Sequence, residues 1–211
     1  YSRPLASTIR TYNVDREFVD RQEIAYGAYD AYDNALSQII DTYDAEAGGT
    51  LIEHKLITSA YEGTVRILHA DGSITEGAAA AAARRGNAVV TNMTRYSAME
   101  ETDANLIEER VMTTNMIDEI GNILNQTIET WAWNDVTSAK ELRSRNIVEN
   151  SGFDTRGNAL TQYITTWATD DTGALSLSGY QDLTNRKYDS DRNVRTQRVL
   201  RYLDAAQSVL L

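Results

Sequence analysis

From about Val14 to Tyr43 the apolar positions fall at helical spacing. Phe18, Ala25, Tyr29, Tyr32, Leu36, Ile39 and Tyr43 follow one another at steps of 7, 4, 3, 4, 3 and 4, with Gln22 at the skipped seam position. A period near 3.5 held over almost four heptads is the pattern of helices packed side by side in a bundle or coiled coil. Gly48-Gly49 closes the segment as a C-cap would. A second long helix is predicted over about Ala98 to Trp133, opened by a capping box of Ser97 and Glu100 and striped by Met112, Met116, Ile120, Leu124, Ile128 and Trp131. A second capping box, Ser138 with Glu141, opens a short helix to about Glu149. Asn158 to Ala168 reads as another helix, and the last runs from about Asp191 to Leu210 on Val199, Leu203, Ala206 and Leu210.

Between the first two long segments the pattern changes. Thr64 to His69 alternates apolar and polar, Ala70-Asp71-Gly72-Ser73 supplies a tight turn, and Ile74 to Glu76 returns, which is a hairpin signal. Residues 50–61 are ambiguous between strand and helix, and Ala88 to Val90 reads as one more short strand. Residues 1–12 are polar and mixed, as in an extended arm, and residues 169–190 are loop-like with one short strand at Leu175 to Leu177. No repeat of 20–50 residues is evident, which argues against solenoids and propellers. The expectation is a mainly α fold over residues 1–211. Long heptad-patterned helices form a bundle, 1–12 is an N-terminal arm, and 50–90 is a β-hairpin insertion.

Composition supports that picture and narrows the chemistry. A chain of 211 residues can bury roughly 70% of its unfolded surface and needs no disulfide staples. One proline in the whole chain, Pro4, suits uninterrupted helices. Zero cysteine excludes disulfides, thiolate zinc sites, iron–sulfur clusters and a cysteine nucleophile. No run approaches the ~18 apolar residues of a membrane-spanning helix. With only His54 and His69 available, a zinc centre or a hydrolytic triad is disfavoured, and no His-Glu-x-x-His, phosphate-binding glycine loop or nucleophile elbow occurs. Asp44 to Leu51 resembles a calcium loop only faintly, because the fifth and twelfth ligand places hold Gly48 and Lys55. No enzyme activity and no cofactor are expected.

The remaining signal is segregated charge within a net charge of −11. Residues 13–53 carry ten acids against two arginines, residues 100–129 carry eight acids against Arg110, and residues 184–203 carry six basic side chains against Asp189 and Asp191. Three explanations compete: a solvated surface, pairing of the basic segment with an acidic one in the same or a neighbouring subunit, and binding of a polyanion. The overall negative charge makes nucleic acid an unlikely partner. Arginine forks favour the second, since they bind carboxylates in two places. Tyr26, Tyr29 and Tyr32, spaced three apart, suit packing or a subunit contact. Trp131 and Trp133 cannot share one helix face, which places Trp133 outside the main core. Tyr26, Tyr29, Tyr32, Trp133, Arg192, Arg195, Arg198 and Arg201 are therefore the subunit-interface candidates.

These features favour a self-assembling structural protein: a virion (capsid, tail or neck) or extracellular filament subunit. Its partners are copies of itself, and its location is extracellular or in a virion. The alternative is an adhesin-like or receptor-binding module that uses Tyr, Trp and the hairpin.

Overall fold

Isoleucine, threonine and tryptophan crowd the segment Ile123–Asn134 (ILNQTIETWAWN), and β-branched and aromatic side chains suit a pleated strand better than a helix. In a computed structural model that segment is a strand, and so is most of the chain. The structure describes residues 3–170, 172–191 and 193–203. The elements in order are β1 (Ala6–Tyr12), β2 (Phe18–Tyr26), β3 (Ser37–Tyr43), β4 (Leu51–Ala60), β5 (Thr64–Leu68), β6 (Ile74–Ala78), α1 (Ala80–Arg84), β7 (Val90–Tyr96), β8 (Leu106–Asp118), β9 (Ile123–Asn134), β10 (Ala139–Phe153), β11 (Ala159–Thr169), β12 (Leu175–Tyr188) and β13 (Val194–Tyr202).

All thirteen strands join one sheet, ordered β1-β2-β3-β4-β7-β8-β9-β10-β11-β12-β13. Every neighbour on that path is antiparallel. The hairpin β5–β6 leaves the path after β4, and β5 pairs in parallel with the end of β8, Arg66–Leu68 against Met116–Asp118. Beyond Val90, where β7 begins, β5 thus takes β7's place beside β8. Among the described residues the principal contacts between elements are all between hydrogen-bonded neighbours, and no second layer covers the sheet there.

This overturns the helical bundle. Strands hold 63% of the described residues and helix 4%, and α1 is the one α-helix among them. The heptad series from Phe18 to Tyr43 is divided between β2, the β2–β3 loop and β3. The predicted helix from Ala98 to Trp133 is a loop, β8 and β9, and the later ones are β10, β11 and β13. Leu210 and Ala206 lie outside the described residues. Neither capping box caps a helix: Ser97 Oγ donates to Asn105 O at 3.3 Å, and Ser138 is a turn residue at φ +49°. Residues 6–12 of the expected arm are the edge strand β1.

The bends repeat. In the β2–β3, β8–β9, β10–β11 and β12–β13 loops an aspartate is followed four residues later by an asparagine: Asp30/Asn34, Asp118/Asn122, Asp154/Asn158 and Asp189/Asn193. In each, aspartate Oδ1 accepts the N–H groups two and four residues on, at 2.8–3.1 Å. Aspartate Oδ2 accepts the asparagine side-chain N–H. The residue before the asparagine is left-handed in the three that are described, Asp33 at φ +67°, Gly121 at +90° and Gly157 at +83°. A turn followed by one left-handed residue is a standard hairpin loop, and the aspartate replaces the backbone acceptors it lacks. Successive hairpins alternate ends, so these four loops share one end of the sheet. Asp118, Asp154 and Asp189 are 36 and 35 residues apart. The chain therefore does carry an internal repeat of two strands and two bends.

Side chains divide between two half-open faces. One face carries Ile24 beside Ile40, Ile57 beside Met93, Met112 beside Ile128, Val148 beside Ile164 and Leu183 beside Val199. All three tryptophans, Trp131, Trp133 and Trp167, lie on the other. A fully buried cluster forms where the insertion folds back: Val65, Ala79, Ala82, Val89 and Ile117, with Ile67 and Val90 against it.

Candidate ligand groove

The repeat is broken once, by residues 61–89, and an apolar groove of about 600 Å³ opens at the break. Its floor and walls come from Leu68 of β5, Met116 of β8, Leu124 of β9, Phe153 of β10 and Ile120 of the β8–β9 loop. The parallel β5–β8 pairing brings Leu68 and His69 beside Asp118, and antiparallel register sets Met116, Asn125 and Glu149 side by side on β8, β9 and β10.

The polar groups at the mouth differ in what they can still bind. The Asp118 carboxylate is consumed by its own loop, holding the N–H groups of Ile120 and Asn122 and the Asn122 side chain. His69 is held on both nitrogens: Nδ1 lies 2.6 Å from Glu119 Oε1, and Nε2 lies 2.8 Å from Thr75 Oγ1. Glu119 Oε2 also accepts the Ala70 N–H at 3.4 Å. Asn150 donates to Ile123 O and accepts from Gln162. Glu149 is exposed and has no hydrogen-bond or ion-pair partner among the described residues. The groove thus offers an apolar floor, the Asp118 and Glu119 carboxylates at its mouth and one histidine, while the register puts the Glu149 side chain on the opposite face from Leu124. A second groove, about 690 Å³, lies across β11, β12 and β13, with Leu160 on one side and the basic side chains of Arg186, Lys187 and Arg198 on the other.

The residues singled out as interface candidates are scattered over the sheet. Tyr26 and Tyr29 serve the chain's own N-terminal end. Their rings stack at 6.4 Å, Tyr29 Oη donates to Pro4 O at 2.6 Å, and the Arg3 guanidinium lies 5.4 Å from the Tyr29 ring. Burial, then the neighbouring Tyr26, raises the Tyr29 hydroxyl above its ordinary pKa. Tyr32 is exposed in the β2–β3 loop. Trp133 stands beside Lys140 near the far end of β9. Arg195, Arg198 and Arg201 are exposed along the edge strand β13, and Arg192 lies outside the described residues. None of the seven described ones lines the 600 Å³ groove, although Arg198 borders the second groove. Phe153 was not singled out in the sequence, and Met116 only as part of a helix stripe, because only strand pairing unites them with Leu68. The local signal was the Asp71-Gly72 hairpin, which marks where the insertion lies.

No protein-family model and no curated protein sequence matches the chain. Among solved structures it is similar to a protein of unknown function from Bacteroides fragilis NCTC 9343. That match has 15% identity over 83% of this chain and 89% of the other, with a TM-score of 0.30. A likeness at that level carries no argument about activity. With no long helix among the described residues, an assembly held by helix packing has lost its basis, and nothing in the comparisons supports a virion or filament role.

Proposed function

We propose that this chain is a non-enzymatic binding protein, a repeat-built sheet whose insertion forms one groove for a small organic cation with an apolar body. The observation that carries this is the half-exposed carboxylate of Glu119 at the mouth of a groove walled by Leu68, Met116, Leu124 and Phe153. An apolar concavity with a few convergent polar groups is the usual form of a small-molecule site, and its surplus of negative charge selects the sign of the ligand. Function also tends to sit where a regular scaffold departs from its own rule, and the sole break in this repeat is the groove wall.

Calorimetric titration of phenethylammonium into the full chain tests this. Saturable binding is expected, with no binding of phenylpropionate, which has similar shape and opposite charge. A hydrogen bond to a charged group is worth about 1.5–3 kcal/mol, so Glu119→Gln should weaken the phenethylammonium affinity by about tenfold or more. Equal binding of the two probes, or an affinity indifferent to Glu119→Gln, defeats the proposal.

A further inference from the structure

Away from the groove, β3, β4 and β7 place Asp41, His54 and Tyr96 in one row, with Asp41 registered on His54 and His54 on Tyr96. The His54 side chain is only 4% exposed. Its Nδ1 lies 2.5 Å from Asp41 Oδ1, and because a carboxylate can only accept, Nδ1 carries the proton. The other nitrogen of the neutral ring, Nε2, is then a lone-pair acceptor. It is buried and makes no hydrogen bond. Facing it is another acceptor, Oε1 of Glu101 from the β7–β8 loop, 3.6 Å away.

A buried acceptor without a donor is unfavourable, and more so when a carboxylate oxygen faces it, unless something positive lies between them. The gap is too long for a direct hydrogen bond. It matches a bridging ion: two metal–ligand bonds of about 2.1 Å enclosing an angle of roughly 120° span that distance. The surroundings favour a cation. The Tyr96 ring lies 6.2 Å from the imidazole. The carboxylates of Glu101, Glu109 and Asp103 gather around Tyr96, with Lys140 among them.

We propose that His54 Nε2 and Glu101 Oε1 bind a divalent cation of the zinc class, and that Asp41 is the positioning residue behind the histidine. A carboxylate on the far nitrogen is the usual support of a metal-bound imidazole, because it sets the tautomer and aims the ring. No trio of histidine, aspartate and glutamate converges on a metal position among the described residues. Water therefore completes the coordination, which the half-exposed Glu101 side chain admits from solvent. The nitrogen ligand selects zinc over magnesium or calcium, which prefer oxygen alone. When bound, the ion ties the β7–β8 loop to β4.

The test is calorimetric titration of the full chain with zinc, magnesium and calcium chlorides near neutral pH. Saturable binding of zinc alone is expected. Glu101→Gln and His54→Gln should abolish it, and Asp41→Asn should weaken it about 10–100-fold. His69→Gln, at the other histidine–carboxylate pair, should leave it unchanged. Glu101 is about half exposed on a loop, so its variant keeps the fold even where one at His54 does not. The proposal is overturned if zinc does not bind, if zinc binds Glu101→Gln as tightly as the parent, or if His69→Gln removes the binding. Zinc indifference combined with a pH-dependent His54 imidazole signal would assign the gap to a bridging proton, and that too overturns it. None of these outcomes depends on whether the groove binds organic cations.

Discussion

Gly121 has no room for a side chain. A Cβ built there would lie 2.3 Å from Ala81 O and 2.7 Å from Ala82 N, and the backbone is left-handed at φ +90°. The β8–β9 loop thus packs directly against the alanine backbone of α1, and Asn87 Nδ2 donating to Gly121 O at 2.9 Å completes the contact. Gly72, left-handed at φ +85°, has nothing within 4 Å of such a Cβ. Gly121→Ala is therefore expected to destabilise the protein by about 2–4 kcal/mol, combining backbone strain with steric overlap. Gly72→Ala should cost only about 1 kcal/mol. Chemical denaturation of both variants checks the difference, and equal losses would show that contact with α1 is unimportant. The run Ala78 to Ala83 can be read in the sequence either as a helical turn or as small residues in a tight contact, and the structure makes it both. That its partner is Gly121 cannot be read there, because the two lie some forty positions apart in the chain.

At the scale of elements, the Asp-x-x-x-Asn bends are local devices, and their residues were in plain view. In Asp154 the side-chain hydrogen bond from Asn158 and the backbone N–H groups of Asn158 and Arg156 hold the carboxyl below its ordinary pKa. Asp189 is lowered first by the backbone of Asn193, and Asp170, in the opposite-end β11–β12 bend, first by the Thr172 hydroxyl. A carboxyl whose pKa is depressed on folding stabilises the fold above its unfolded pKa, and loses that stabilisation as pH falls through the folded value. Thermal melts should accordingly show these bends at full strength at neutral pH and weakening below the usual carboxylate range. Asp154→Asn should lower the melting temperature at neutral pH, with the gap to the parent narrowing on acidification. A gap that stays constant down to low pH would mean that the charge does not matter. The strands between the bends were harder to read. In a single layer neither face is fully buried, so apolar side chains stand among polar ones on both faces, as Val148 and Ile147 do among Asn146, Glu149 and Asn150. Clean two-residue alternation needs one dry face. Without it, apolar residues drawn from different strands, such as Ala25, Leu36, Ile39 and Tyr43, fall at three- and four-residue steps that imitate a heptad.

For the whole molecule, the charge blocks resolve into neighbours across the sheet. Arg95 of β7 binds both Glu53 and Glu108, Lys140 binds Glu109, and Arg145 binds Glu129. Arg195, Arg198 and Arg201 differ: they are exposed on the terminal strand β13, with no ion pair among the described residues. Like charges along an open edge oppose pairing with the same edge of another copy. Replacing all three by threonine should raise concentration-dependent association in light scattering, most clearly at low salt. An unchanged scattering profile would show that the edge is guarded in some other way. By itself the sequence determined the absence of thiol chemistry, the acidic balance and the Asp71-Gly72 hairpin, because each depends on composition or on residues within one turn; the aspartate–asparagine bends are as local, yet they became legible only once the strands were placed. Even the single proline was a sound observation with two meanings, since a central strand excludes proline as firmly as a helix does. Tertiary structure alone decided between helix and strand, for a strand's hydrogen bonds close on a neighbour that sequence spacing does not name. It alone also brought Leu68 to Phe153 in the groove, and His54 between Asp41 and Glu101, across distances in the chain that only sheet register spans.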